Sequence, residues 1–244
     1  MFLLFDIGNT RLKWALSNSS NIISTGAIDL TDLNETVLDQ QFASFDQPSS
    51  IFLSNVATKS ICNMVIKWLN DRFQTDVSIV KVTKNACDIK NMYSDPSSLG
   101  VDRWVAAIGA RHLVAQGDLI IIDVGTAVTI DWLSNQNTFE GGVILPGLAL
   151  MHDSLVEQTA GIKSEYSDLT QIIGKTTKEC VSSGIGFGLA GAIERIVDEM
   201  NKNINRPTTV ILTGGGSKSL AAIMKFDSFN EPNLVLLGLL KLAI

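Results

Sequence analysis

Two stretches, "FLLFDIGNT" (2–10) and "LIIIDVGTA" (119–127), decide how this chain is read. They superimpose without a gap, 117 residues apart, and each runs from an apolar strand into aspartate, a β-branched residue, glycine and a small polar residue. One Asp-x-Gly turn says little, because both residues are ordinary turn formers. Two of them in matching contexts, near half the chain length apart, indicate an internal duplication. The expectation is two copies of one half-domain facing each other across a cleft, each presenting its turn to the gap.

The flanking pattern agrees. After the first motif, 11–17 and 21–29 complete a run of three strands, and "SIFLSNV" (50–56) makes a fourth. Residues 58–73 place Ile61, Val65, Trp68 and Leu69 at helical spacing, with Thr58 as N-cap. A strand at 77–82 and a polar loop over 83–100 lead to a second helix, whose face is Val101, Trp104, Val105 and Ile108. At 118 the plan restarts: "DLIIIDVGTAVTIDWL" supplies two strands and "NTFEGGVIL" (137–145) a third, followed by a long helix over 176–201, a strand and glycine turn at 208–217, and a terminal core helix at 234–244.

Composition bounds the function. In 244 residues, 45% are apolar and 18% charged, enough for a buried core. A net charge of −6 and a pI near 4.9 argue against nucleic-acid or anionic-membrane partners. Cys62, Cys87 and Cys180 lack CxxC spacing and only His112 and His152 accompany them, so reduced cysteines in a cytoplasmic protein are expected rather than a zinc site. The N-terminus reaches Asp6 at once without a basic leader, unlike a signal peptide, and 234–244 is too short to span a bilayer.

The turn residues suit a polyphosphate. Gly8 lets a ligand approach backbone N–H groups, which with Asn9 and Thr10 form a donor cluster. Asp6 is suited to a hydrated Mg²⁺, and Lys13 in the next strand to phosphate charge. The competing reading is a tight hairpin with a polar tip. In "LGVDRW", Asp102 can accept the proton of an attacking hydroxyl, since phosphoryl transfer asks mainly for positioning. Arg103 offers a planar fork for a carboxylate. The plain alternative is an acid at a helix N-terminus beside a solvated arginine.

The paired turns resemble the actin, Hsp70 and sugar-kinase superfamily. More narrowly, "DIGNTRLKWAL" (6–16), "YSDPSSLGVDRWVAAIGA" (93–110), "DVGTAVTIDWL" (123–133), "FEGGVILPGLALM" (139–151), "GKTTKECVSSGIGFG" (174–188) and "LTGGGS" (212–217) resemble, in that order, type III pantothenate kinase. That resemblance implies an α/β chain of two duplicated ribonuclease-H-like (actin-like ATPase) domains around a central cleft, 1–116 and 117–244. It implies ATP-dependent phosphorylation of pantothenate, the first step of coenzyme A synthesis. Asp102 would be general base; Tyr93, Gly100, Val101, Asp102, Arg103 and Thr177 would meet pantothenate; Asp6, Ile7, Gly8, Asn9, Thr10, Arg11, Leu12, Lys13 and Thr126 would meet ATP with its Mg²⁺. Asp123 would ligate a monovalent cation, K⁺ or NH₄⁺.

Gly184, Gly188 and Gly191 recur on the long helix at spacing that admits a neighbouring backbone, and the resemblance implies a homodimer contacting there. On physical grounds alone Thr177 is an N-cap candidate. The chain departs from the family pattern at "TGGGS", where an acidic end is usual, and at "EQTAGIKSEY" (157–166). Two other readings stand beside the kinase: a non-catalytic accessory protein that retains the fold, and a related kinase acting on a sugar or short acid.

Overall fold

The computed structural model describes residues 1–163 and 172–244, so the last three residues of the divergent 157–166 stretch lie outside the described residues. The chain divides into two compact units: 1–115 with 137–139 and 233–244, and 116–136 with 140–232.

The first unit opens with β1 (Phe2–Ile7), β2 (Arg11–Ser17) and β3 (Ile22–Asp29), then α1 (Glu35–Gln41), β4 (Ser50–Asn55), α2 (Lys59–Phe73) and β5 (Val77–Ile79). Its sheet has the order β3-β2-β1-β4-β5, with β1 antiparallel to β2 and parallel to β4. Strand alternation sorts β1 into two faces. Leu3, Phe5 and Ile7 enter a core with Phe42, Trp68 and Phe73 from the α1 and α2 side. Leu4 and Asp6 are left for the opposite face. Thr58 caps α2 as its position predicts, accepting a hydrogen bond from the Ile61 amide. The short α1, with Leu38 its buried residue, offers too few positions for a periodic signal.

Over 83–100 the expected loop contains β6 (Asn85–Ala86), β7 (Ile89–Asn91) and a 3-10 turn at Pro96–Ser98. The β6–β7 hairpin closes through Cys87 (φ 47°) and Asp88 (φ 62°), a left-handed pair that normally reads Asn-Gly in sequence. That substitution hid it. Helix α3 (Val101–Leu113) follows.

The second unit repeats the plan with β8 (Asp118–Val124), β9 (Ala127–Leu133), β10 (Thr138–Pro146), α4 (Leu148–Gln158), α5 (Thr177–Ile204), β11 (Thr208–Thr213), α6 (Ser217–Ala221) and β12 (Phe229–Asn230). Reading outward from β8, the neighbours are β9 and β10 on one side, β11 and β12 on the other, with β8 antiparallel to β9 and parallel to β11. Five strands of the seven-stranded second sheet, β10-β9-β8-β11-β12, therefore repeat the first sheet's order of third-second-first-fourth-fifth, and the duplication read from two nine-residue stretches extends over five strands. The copies differ at the tip: 8–10 join β1 to β2, whereas 125–126 suffice between β8 and β9.

Among the described residues α5 is the helix long and apolar enough to cross a membrane, yet half of that stretch is buried. Ile193 and Val197 pack with Ile120 and Ile122 of β8 in the second unit's core. Its N-cap is Thr176, not Thr177: the Thr176 hydroxyl accepts from the Glu179 amide, and the Glu179 carboxylate accepts from the Thr176 amide. Two adjacent threonines made the sequence ambiguous, and Glu179 three residues on resolves it.

Helix α7 (Leu234–Ala243) belongs to the first unit and lies against α3 and β1. The contact is backbone to backbone. A Cβ on Gly109 would strike the Leu234 carbonyl, and one on Gly238 would strike the Val105 carbonyl. Since neither backbone can yield locally, Gly109→Ala is expected to lower stability by about 1–3 kcal/mol through overpacking, read as a reduced urea midpoint.

Candidate active site

The first Asp-x-Gly turn is built on three neighbouring strands. Register places Lys13 of β2 and Ser54 of β4 on either side of Asp6 of β1. All three side chains share the face that the aromatic core does not use. The Ser54 hydroxyl donates to Asp6 Oδ1 at 2.6 Å, and Ser54 itself is fully buried. Asp6 is 7% exposed. Burial pushes its carboxyl up to about 6, against the Ser54 hydrogen bond and the Lys13 charge, which pull it down; the nearby Asp102 charge adds to the rise. Carboxylates of β1 and α3 thus act on one another with a lysine between strands to offset them.

The residues expected around ATP are not equivalent. Ile7 and Leu12 are core side chains, so they offer a ligand only backbone groups. Asn9, Thr10 and Arg11 are exposed at the tip, and the Gly8 amide closes it by donating to the Arg11 carbonyl at 2.9 Å. Arg11 donates to Asp29 across the hairpin at 2.6 Å, an exposed pair of small energetic value.

At the start of α3, Asp102 Oδ1 accepts the Arg103 amide at 2.8 Å. A Cβ on Gly100 would stand 2.6 Å from that same oxygen, so glycine there leaves the carboxylate its position. Arg103, 8% exposed, donates from Nη1 to the Tyr93 hydroxyl at 2.8 Å, and its guanidinium lies 5.7 Å from the Tyr93 ring centre and 5.9 Å from that of Phe139. The Tyr93 amide in turn donates to Asn91 at 2.9 Å. Tyr93, Gly100, Val101, Asp102 and Arg103 are therefore assembled in the first unit. Ser54 and Phe139 were not singled out in the sequence: a serine within a strand carries no motif, and Phe139 opens the quoted 139–151 stretch without any sign that it packs beside Arg103.

In the second unit, Asp123 faces Thr129 on β9 and Thr213 on β11 in register. The position that holds Lys13 beside Asp6 thus holds a threonine here. Backbone from two other segments closes on this turn. The Gly147 amide, leading α4, donates to the Thr126 carbonyl at 3.0 Å, and the Gly216 amide donates to the Val124 carbonyl at 3.0 Å. Gly214, at φ +88°, sits where a side chain would strike Asp123 Oδ1. The "TGGGS" segment therefore supports the second turn. Thr177 lies elsewhere in this unit, lining a cavity of about 610 Å³ with Met151 and Leu155 of α4 and Cys180, Val181 and Ile185 of α5.

Among the described residues no group of three or more His, Cys, Asp or Glu side chains could cage a metal. Asp6, a buried carboxylate with cationic and anionic neighbours, fits a divalent ion that keeps its waters and rests mainly on nucleotide phosphates.

The raised Asp6 value has a thermodynamic sign. A carboxyl that titrates near 6 folded and near 3.8 unfolded binds more protons in the folded state between those values. Stability therefore falls as pH rises from about 4 to 6, and the full cost, roughly 3 kcal/mol, persists above 6. Asp6→Asn is expected to be more stable than the wild type at pH 7 and to lose that advantage by pH 4, read as urea midpoints across the range.

The profile of the type III pantothenate kinase family matches residues 2–199. A type III pantothenate kinase from Janthinobacterium sp. is 35% identical over 257 residues, covering all of this chain and 98% of the relative. One from Nitrosococcus oceani is 30% identical, covering all of this chain and 94% of the relative. Among solved structures, a Campylobacter jejuni protein described as a Baf-family transcriptional activator is similar with a TM-score of 0.59 at 21% identity, over 98% of this chain and 96% of that one. The activator of 2-hydroxyisocaproyl-CoA dehydratase from Clostridium difficile, solved with ADPNP, gives 0.54 at 13% identity, over 99% and 92%. At such identities the structures speak for the fold alone, and they bear out the two-domain actin-like α/β architecture expected from the paired turns. By its profile match and its full-length relatives, the chain belongs to the type III pantothenate kinase family.

Proposed function

We propose that Asp6, Lys13 and Asp102 form the reactive part of a kinase site in which Tyr93 and Arg103 hold the acceptor. The chain phosphorylates pantothenate with ATP, the opening step of coenzyme A synthesis. The observation that carries the site reading is the convergence of Asp6, Lys13 and Asp102 on one face of the first sheet.

Pantothenate has a carboxylate at one end and a primary alcohol at the other. The Arg103 fork, braced by Tyr93 and Phe139, suits the carboxylate. The alcohol then comes to Asp102 with Gly100 and Val101 beside it. As the hydroxyl oxygen bonds to the γ-phosphorus and the bond to the β,γ-bridging oxygen breaks, the hydroxyl proton passes to Asp102 and ADP leaves. A loose transition state makes late acceptance by a carboxylate sufficient. Gly8, Asn9, Thr10 and Arg11, with backbone of Ile7 and Leu12, receive phosphate oxygens; Lys13 offsets their charge; Asp6 receives the hydrated Mg²⁺ that, when bound, neutralises the triphosphate. Thr126 meets phosphate oxygens from the second turn.

Asp123 takes a monovalent cation, K⁺ or NH₄⁺. The reading follows the family resemblance, with Thr129 in register beside Asp123 where the first turn has Lys13. Residues 1–116 and 117–244 are the two copies of the duplication, supported by their common strand order. The enzyme acts as a cytoplasmic homodimer with no nucleic-acid or membrane partner. A face of α5 supports the dimer: a Cβ on Gly184, Gly188 or Gly191 would meet nothing within 4 Å. Thr177 is assigned to pantothenate by the family resemblance.

A coupled ADP-release assay tests this. Pantothenate should drive turnover, sugars and short hydroxy acids should not, and withdrawing K⁺ should lower the rate. Asp102→Asn is expected to cut kcat by a factor of 100 or more with ATP binding nearly unchanged. Turnover near the wild-type rate would remove Asp102 from the role of base.

A further inference from the structure

Asp6 sits near the end of the central strand of the first sheet, almost wholly out of water. One short contact fixes it: the Ser54 hydroxyl at 2.6 Å, reaching across from β4 with no exposure of its own. Asp6 and Ser54 are direct partners in the parallel register, so their side chains leave the sheet on the same face. Lys13 approaches the carboxylate from β2, and Asp102 acts on it from α3. The carboxylate therefore has an attractive charge on one side and a repulsive one beyond, and neither of these dictates which oxygen turns outward. A short hydrogen bond to one oxygen does.

The duplication repeats the arrangement. On β11, Thr213 occupies the register position opposite Asp123 that Ser54 occupies opposite Asp6, and it too is buried. In both copies the strand parallel to the turn strand places a hydroxyl residue opposite the turn aspartate.

We infer that Ser54 is a positioning residue for phosphoryl transfer: its hydroxyl holds Asp6 Oδ1 so that Oδ2 is presented to the nucleotide's hydrated cation. The inference rests on the reading of Asp6 in the proposed function. It gives a buried serine, outside every motif of the chain, a part in turnover while touching neither substrate.

The test is a double-mutant cycle with steady-state kinetics, with rates normalised to folded enzyme by thermal melting. Ser54→Ala deletes one buried oxygen and adds no bulk. It is expected to lower kcat by about 10- to 100-fold, the range of a hydrogen bond to a charged group. The KM for pantothenate should stay within about twofold, because Tyr93 and Arg103 do not touch Ser54. In an Asp6→Asn background, Ser54→Ala should bring no further loss, since its action runs through that carboxylate. A merely structural serine would give the same fractional loss in both backgrounds, and that additivity overturns the inference, as does a Ser54→Ala enzyme at the wild-type kcat. An Asp6→Asn enzyme with full turnover would instead defeat the assignment of Asp6 itself, a separate failure.

Discussion

The site depends on a carboxylate that the fold holds away from water. Asp6 lies next to the last residue of a strand whose alternate residues build the first unit's aromatic core, so its side chain is placed by the same register that buries Phe5 and Ile7. Desolvation makes the charged form costly, and Ser54 and Lys13 only partly offset that cost. A group left in this state gains most when a cation arrives to share its charge. The folded chain therefore carries a local electrostatic cost that a hydrated metal–nucleotide would relieve.

Duplication supplied two such turns and sequence drift made them unequal. Five strands of each sheet keep one order, and both turn aspartates have a buried hydroxyl residue beside them in register. The first turn has a lysine on the antiparallel neighbour and a helix-borne carboxylate close by. The second has threonine there and is supported instead by Gly147, Gly214 and Gly216, whose backbones close on it. The common strand order gives the two turns one scaffold; the residues around each aspartate differ.

The fold was legible largely because the turns were repeated. Periodicity located the long strands and helices, and Thr58 marked the start of α2 correctly. What escaped was local chemistry with no periodic signature: α1 buries one leucine, and the β6–β7 hairpin turns through Cys87 and Asp88 instead of Asn-Gly. Thr176 rather than Thr177 caps α5 because the reciprocal Glu179 bond selects between two identical side chains. In the site, Asp102 and Arg103 stood out as neighbours in sequence. Ser54 and Phe139 did not, since their importance comes only from what the register and packing bring beside them. The "TGGGS" departure carried no structural meaning in the sequence; in the fold, Gly214 and Gly216 lie against Asp123 and Val124.

The central claim is that Asp6 is a strained, buried carboxylate awaiting a cation-bound polyphosphate. Carbon-13 NMR of the Asp6 side-chain carboxyl across a pH titration reads this directly. The account predicts a midpoint near 6 in the free protein, moving down when a non-hydrolysable ATP analogue and Mg²⁺ are added. A midpoint near 4 that ignores the nucleotide would contradict it.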